Sequence, residues 1–300
     1  MLVAVIGIGS NSVRMLLAEV GGGEMRRIRR DREGTRLFAG LSAQRCLSSG
    51  AMESTAAAVS RMAADARAAG AERIHLFATS ATRDAANQAE FAALIAERAG
   101  LEMEICPGER EAALSFLGAA GRGDCGVIDI GGGSTEFTIG EDECILGAVS
   151  LQMGAVRMHA QTPIHSREDY EQAVERCVHM IRRDAQTLLA LPKAQSWVGV
   201  GGTMTTIGAM HRSVPLFDPQ LCEGMRISRA EVCAWGRRVA RLPMADRRQI
   251  VGLMPQRADI IPSGVAILEA AMRVFDMEEM TLSAHGNMDG YLKKKFKEMC

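Results

Sequence analysis

Residues 1–9, MLVAVIGIG, are apolar at nearly every position, and such a run bounded by a turn reads as a strand buried on both faces. Ser10, Asn11 and Ser12 interrupt it, and VRMLLAEV (13–20) resumes it, which predicts a hairpin. GGGE (21–24) then turns the chain into MRRIRRDREGTRLFAG (25–40), whose charges suit an exposed strand. Ser54 to Ala69 is rich in alanine with apolar residues at helical spacing, and Gly70 ends that predicted helix. RIHLFATSA (73–81) reads as a strand, RDAANQAEFAALIAERAG (83–100) as a helix closed by Gly100, and LEMEIC (101–106) as a short strand. GEREAALSFLGAA (108–120) reads as a helix behind the Pro107-Gly108 turn.

The pattern then begins again. CGVIDIGGGSTEFTIG (125–140) repeats the opening strand and turn, and CILGAVSL (144–151) continues the sheet. SREDYEQAVERCVHMIRRDAQTLLAL (166–191) is a long amphipathic helix with Ser166 as its cap, acids early and bases late. SWVGVGGTMTTIGAM (196–210) is strand, glycine turn and helix; the rest is mostly helical, with one late strand at EMTLSAHG (279–286). Glycine and charge cluster at AGRGDCG (120–126), which places a domain cut between 1–124 and 125–300. The restart is literal: VIGIGSNS (5–12) and VIDIGGGS (127–134) align without a gap and part at the third residue, Gly7 against Asp129. Two like halves imply a duplicated α/β fold with a cleft between two facing turns.

Composition narrows the partners. The chain of 300 residues is 47% hydrophobic and 24% charged, an ordinary globular balance. Lys+Arg total 35 against 36 Asp+Glu, so an anion must be held by local donors, and broad nucleic-acid coating is excluded. At 4% aromatic residues there is little to stack bases on. No apolar run approaches the roughly 20 residues that span a bilayer, and no basic leader is seen, so a cytoplasmic protein without a membrane partner is expected. Eight cysteines without a Cys-x-x-Cys, and six histidines without a His-x-x-x-His, argue against disulfides and zinc.

The glycine turns carry the candidate chemistry. In Gly131-Gly132-Gly133-Ser134 the absent Cβ atoms let amide groups converge on an anion, with the Ser134 hydroxyl as a further donor. Asp129 ends a buried strand and Glu136 leaves the turn, a pair suited to Mg²⁺ and an activated water, although Asp129 capping its own turn would look similar. Gly199 to Thr206 opens a helix, as a phosphate site or as a plain strand–helix connection. Arg83 could fork onto phosphate oxygens or pair with Asp84 or Glu90. Glu109 and Glu111 would ordinarily complement a helix dipole, and the arginines at 26, 27, 29, 30, 32 and 36 read as a solvated face more than as a polyanion track.

Together VIGIGSNSVRM, TRLFAGL, FATSATRDAAN, GEREAALSFLGA, GVIDIGGGSTEF, SLQMGAVRM, GVGGTMTTIGAM and LMPQRADIIPSGVAIL resemble the exopolyphosphatase/guanosine pentaphosphate phosphatase family of the actin–hexokinase–sugar kinase superfamily. The resemblance implies two actin-like (ribonuclease H-like) domains around an interdomain cleft. It also implies Mg²⁺-dependent release of terminal phosphate from inorganic polyphosphate or pppGpp. By position, Glu111 matches the catalytic glutamate that orients water, and Glu109 falls outside the match. Asp129 and Glu136 match the acids near the metal, and Gly131 to Ser134 a phosphate loop. Ser10, Asn11 and Ser12 match the opposing loop, Arg83 an arginine near the phosphates, and Gly201, Gly202 and Thr203 the third loop. Two positions depart from the family pattern: Gly7 stands where an Asp is usual, and Met288-Asp289 replaces an Arg-Glu pair. Many members carry a further C-terminal helical domain, which this sequence is expected to lack, and that mildly favours short substrates. The runner-up reading is a catalytically weakened protein that binds polyphosphate or guanosine penta/tetraphosphate, with phosphotransfer ranked last. Oligomeric state stays open, a homodimer being one option.

Overall fold

The computed structural model describes residues 1–22, 24–121, 123–214 and 219–297. Gly23 of the expected turn, Arg122 of the expected boundary and Cys300 lie outside these residues. The first half builds a five-stranded sheet of order β3-β2-β1-β4-β5, from β1 (Leu2–Ile8), β2 (Val13–Gly21), β3 (Glu24–Glu33), β4 (Arg73–Ala78) and β5 (Glu104–Ile105). β1 to β3 are antiparallel, while β4 runs parallel to β1 and β5 parallel to β4. Its helices are α1 (Ser49–Ala68), the single turn α2 (Ser80–Arg83), α3 (Gln88–Ala99) and α4 (Gly108–Ala119). The second half contributes β6 (Asp124–Ile130), β7 (Thr135–Glu141), β8 (Cys144–Leu151), β9 (Ser196–Val200), β10 (Arg226–Ser228) and β11 (Glu279–Leu282). They form a sheet of order β10-β11-β9-β6-β7-β8. Read from β8 to β11, this order repeats that of the first sheet, so the duplication seen in the octapeptides extends to topology.

Helices α5 (Ala155–Gln161), α6 (Arg167–Asp184), α7 (Gln186–Leu189), α8 (Gly202–His211), α9 (Arg229–Arg241), α10 (Met244–Arg247), α11 (Ile261–Val274) and α12 (Asn287–Lys297) complete the fold. Because β1 alternates faces, Ala4, Ile6 and Ile8 pack against α1 and α3, while Val3 and Val5 pack with Leu114 of α4 and Met288, Tyr291 and Leu292 of α12. The opposite side of α4 meets the second sheet through Phe116, which clusters with Cys125, Val127 and Val200. The expected cut at 124/125 falls at the start of β6, and α12 packs back across it onto the first sheet. Where α4 and α12 cross, Gly118 and Gly290 let the two backbones touch; a Cβ on Gly118 would lie 3.1 Å from the Gly290 amide. Among the described residues no helix is long and apolar enough to cross a membrane.

Three helices differ from their predicted bounds: the one expected over 166–191 divides at Ala185 into α6 and α7, and the causes for the other two are local. α1 begins at Ser49, five residues before the alanine-rich run, because the Ser48 hydroxyl accepts the Ala51 amide at 3.3 Å and Met52 is already buried. The helix expected over 83–100 is broken at 84–87. There Asn87 brackets the Leu47 backbone, receiving its N–H at 2.8 Å and donating to its carbonyl at 3.1 Å, and the Ala86 amide bonds to the Arg45 carbonyl at 2.7 Å. Groups committed to a neighbouring loop cannot close helical turns.

Candidate active site

The duplicated octapeptides fold alike. The Gly9 amide donates to the Ser12 carbonyl at 3.0 Å, and the Gly131 amide to the Ser134 carbonyl at 3.0 Å. Strand register then sets Gly7 opposite Arg14 in one copy and Asp129 opposite Glu136 in the other. One half thus offers a cation where the other offers two acids. The turns meet in space: a Cβ on Gly132 would stand 3.0 Å from Ser10 Cβ and 3.4 Å from the Asn11 amide nitrogen, and one on Gly133 would stand 2.5 Å from Ser10 Oγ.

Most of their carbonyls are committed. The start of α5 takes those of the second turn, with the Ala155 amide on Gly131 O at 3.0 Å and the Val156 and Arg157 amides on Gly132 O at 2.8 and 3.0 Å. Arg157 Nε takes Gly133 O at 2.6 Å. In the first turn the Phe38 and Arg36 amides bind Ser10 O and Asn11 O at 2.8 and 3.1 Å. A trans peptide sends its N–H opposite its C=O, so pulling carbonyls one way turns the amides of Gly132, Gly133 and Ser134 the other way, toward the cavity those residues line. Gly154 permits this approach, since a Cβ there would lie 2.5 Å from the Gly133 nitrogen.

The cavity between the halves measures about 670 Å³, and both turns, Thr79, Ser80, Glu111, Asp129, Gly201 and Gly202 line it. Glu111, in the first turn of α4, accepts from Arg83 Nη1 at 3.1 Å and lies 3.5 Å from Asn287 Nδ2. Burial pushes its carboxyl up to about 7 against the opposing pull of Arg83, with Asp129 adding to the rise. Asp129 accepts from Ser115 Oγ at 2.6 Å; burial raises its pKa, opposed by that hydrogen bond and by Arg14. Glu136 is buried behind the cavity wall and accepts from Ser150 Oγ at 2.7 Å. Burial raises it well above the usual carboxylate range, and Glu111 and Asp129 raise it further.

Three desolvated acids that repel one another call for a cation. Among the described residues no three His, Cys, Asp or Glu side chains enclose a metal by themselves. The donor set fits Mg²⁺, which takes one or two carboxylates and fills its octahedron with water and phosphate oxygens.

The remaining predicted residues divide. Gly201 (φ 94°) brings the third turn onto Asp129, where a Cβ would stand 2.6 Å from Oδ1, so only glycine fits. α8 does begin at this turn, at Gly202. Thr203 is fully buried against Gly264 and is not on the cavity wall. Arg83 is also behind the wall, bonded to Glu111 and to the Cys106 carbonyl instead of Asp84 or Glu90.

The arginine run requires a correction. Arg26 pairs with Glu19, and Arg29 with Asp31 and Asp65, on the exposed side, as a solvated face would. Arg27, Arg30 and Arg32 line the cavity, with Arg29 at its border; a bulge at Ile28 shifts the β3 register, so Arg27 falls on the same face as Arg30 and Arg32 although three residues separate it from Arg30. Asp289 receives both Arg27 and Arg30; against burial, a hydrogen bond with His285 and then these two guanidinium groups hold its carboxyl below the usual range. Among the described residues Arg32, Arg14 and Arg257 form no direct ion pair, although Arg14 acts at a distance on Glu111 and Asp129, and Asp259 acts on Arg257. Arg32 Nε reaches Ser12 Oγ at 3.3 Å and Arg14 reaches Asn287 Oδ1 at 3.4 Å. Arg257 is buried with its Nε unpartnered, and burial together with Arg32 and Arg14 lowers its pKa to about 9. Sequence reasoning missed Arg14, Arg257 and Asn287, although Arg14 and Arg257 sit inside stretches quoted for the resemblance.

Comparison with known proteins gives a consistent result. The profile of the Ppx/GppA phosphatase family matches residues 16–298. "Exopolyphosphatase 2" of Mycobacterium tuberculosis is 32% identical over 96% of this chain and 96% of its own. The "Guanosine-5'-triphosphate,3'-diphosphate pyrophosphatase" of Aeromonas salmonicida is 31% identical over 97% of this chain, which spans 58% of that longer protein. A crystal structure described as an exopolyphosphatase-like protein superposes with a TM-score of 0.92 at 28% identity, covering 100% of both chains.

Proposed function

The chain belongs to the Ppx/GppA phosphatase family, and on that premise we propose that it is a Mg²⁺-dependent phosphoanhydride hydrolase. Its proposed reaction releases terminal phosphate from inorganic polyphosphate or from pppGpp. One observation carries this reading: two glycine turns from opposite halves meet over a single cavity whose walls also hold Glu111, Asp129 and the arginines Arg14, Arg32 and Arg257.

The terminal phosphoryl group lies against the amides of Gly132, Gly133 and Ser134, with the Ser10 to Ser12 turn and the third turn at Gly201 and Gly202 opposite. Arg14, Arg32 and Arg257 hold the following phosphates; their desolvated charges gain most when an anion arrives. Glu111, oriented by Arg83 and Asn287, positions a water and takes its proton, a role suited to a carboxyl titrating near neutral pH. Asp129, with Glu136 behind it, would hold Mg²⁺, which when bound neutralises phosphate charge and orients oxygens for in-line displacement. The chain's own contribution is placement in a cleft shielded from water. The test is phosphate release from tripolyphosphate, long-chain polyphosphate and pppGpp with Mg²⁺. Silence toward all three in folded protein rejects the hydrolase.

A second reading, ligand binding without turnover, has one observation in its favour: Met288, an apolar side chain, packs beside Gly7. Calorimetric binding of tripolyphosphate without phosphate release would select it.

A further inference from the structure

Arg157 lies outside every predicted site, yet one guanidinium joins all the elements around the second glycine turn. Its Nε donates to Gly133 O at 2.6 Å. Its Nη2 is paired with Asp84 and lies 3.4 Å from Ser80 Oγ, both beside the α2 turn of the first half. Its Cζ sits 4.7 Å from the centre of the Phe38 ring, and the Phe38 amide holds the Ser10 carbonyl of the first turn at 2.8 Å. The residue arises from the second half, so every contact except that to Gly133 crosses the cleft. Both charged partners are largely buried, so the pair is little screened by solvent.

Resting on the hydrolase reading, we propose that Arg157 is a positioning residue that latches the halves together and thereby shapes the phosphate cradle. With Nη2 anchored on Asp84, the planar fork presents Nε to Gly133 O and fixes that peptide, which turns the Ser134 amide toward the cavity. When the halves part, the anchor leaves and the Gly133 carbonyl is free to rotate. Cleft closure and cradle formation are therefore one event.

Lysine keeps the charge for Asp84 but has no second planar donor for Gly133 O. Tripolyphosphate binding, measured by calorimetry with Mg²⁺, should weaken about tenfold in Arg157→Lys, the worth of one charge-assisted hydrogen bond, with little change in Tm. Asp84→Asn should weaken binding in the same direction, and the double variant should be no worse than the poorer single one, because both break one latch. Arg157→Lys binding as tightly as wild type, or losses that add in the double variant, would overturn the proposal. A role in packing alone would lower Tm and leave the affinity of folded protein unchanged, which also overturns it. Should Arg157→Lys fail to fold, Asp84→Asn decides by the same comparison. A wild type that binds tripolyphosphate but never releases phosphate overturns the hydrolase and leaves the latch to be judged on affinities.

Discussion

Gly7 and Met288 share one gap: a Cβ placed on Gly7 would lie 3.6 Å from both Cγ and Sδ of Met288, with the Phe77 ring at 3.4 Å on its other side. Gly7 and Met288, where the resemblance implies departures from the family pattern, are thus neighbours. Met288 is on the cavity wall and Gly7 is not, so the thioether stands between residue 7 and the cleft. A carboxylate added at position 7 alone would face an aromatic ring and a sulfur. We expect Gly7→Asp to cost about 1–3 kcal/mol of stability and to leave Mg²⁺ affinity unchanged. Gly7→Asp with Met288→Ala should bind Mg²⁺ more tightly. Calorimetric titration of both variants decides it, and tighter binding by the single variant would refute the blocking role of Met288.

Glu111→Gln keeps the shape and loses the base. Turnover of tripolyphosphate should fall about a thousandfold while its affinity is little changed, because the anion is held by amides and arginines elsewhere. Steady-state kinetics beside calorimetry separates the two; unchanged turnover removes Glu111 from its proposed role.

The raised acids predict a pH effect with a definite sign. Glu111 rises from 4.5 to about 7, and Asp129 and Glu136 shift upward too, so the unfolded chain loses these protons first. Metal-free protein is therefore favoured at low pH by these groups and loses that stability as pH rises through about 7. Asp289, shifted downward, acts oppositely and withdraws stability only in strong acid. Tm of the metal-free protein should fall between about pH 5 and about pH 8, and Mg²⁺ should reduce the fall. A flat profile without metal would contradict the clustering of the acids.

Arg257 illustrates function held against stability. Its charge is buried with Nε unpartnered and two other arginines nearby. Arg257→Met should raise Tm, since a desolvated cation is replaced by an apolar chain of similar length, while tripolyphosphate binding weakens about tenfold or more. Lower Tm with full affinity would place the residue in packing instead.

The strands and the repeat were legible because period-two patterning and a duplicated octapeptide are local signals. They led to the facing turns, to Asp129 and to both glycine loops on the cavity wall, whereas Glu111 was separated from Glu109 only by the family resemblance. What escaped was set by distant parts of the chain. No local pattern told that β3 would turn Arg27, Arg30 and Arg32 inward, because their neighbours are residues 254–289. The depth of Glu136 and Thr203 depends likewise on Ser150 and Gly264, which sequence spacing does not bring near. The alanine-poor first turn of α1 and the break at 84–87 were decided by one serine hydroxyl and one asparagine amide.

The crossing of α4 and α12 has a consequence for biosynthesis. Glu111 rides on one of these helices and Asn287 on the other, and the second covers Val3 and Val5 of the opening strand. A nascent chain whose residues 287–297 are still inside the ribosome has both glycine turns and Arg83, but lacks the Asn287 contact to its glutamate and a cover for its first sheet. If the proposed function holds, such a chain has its phosphate loops before its glutamate is fully oriented, and turnover is expected only after α12 has docked.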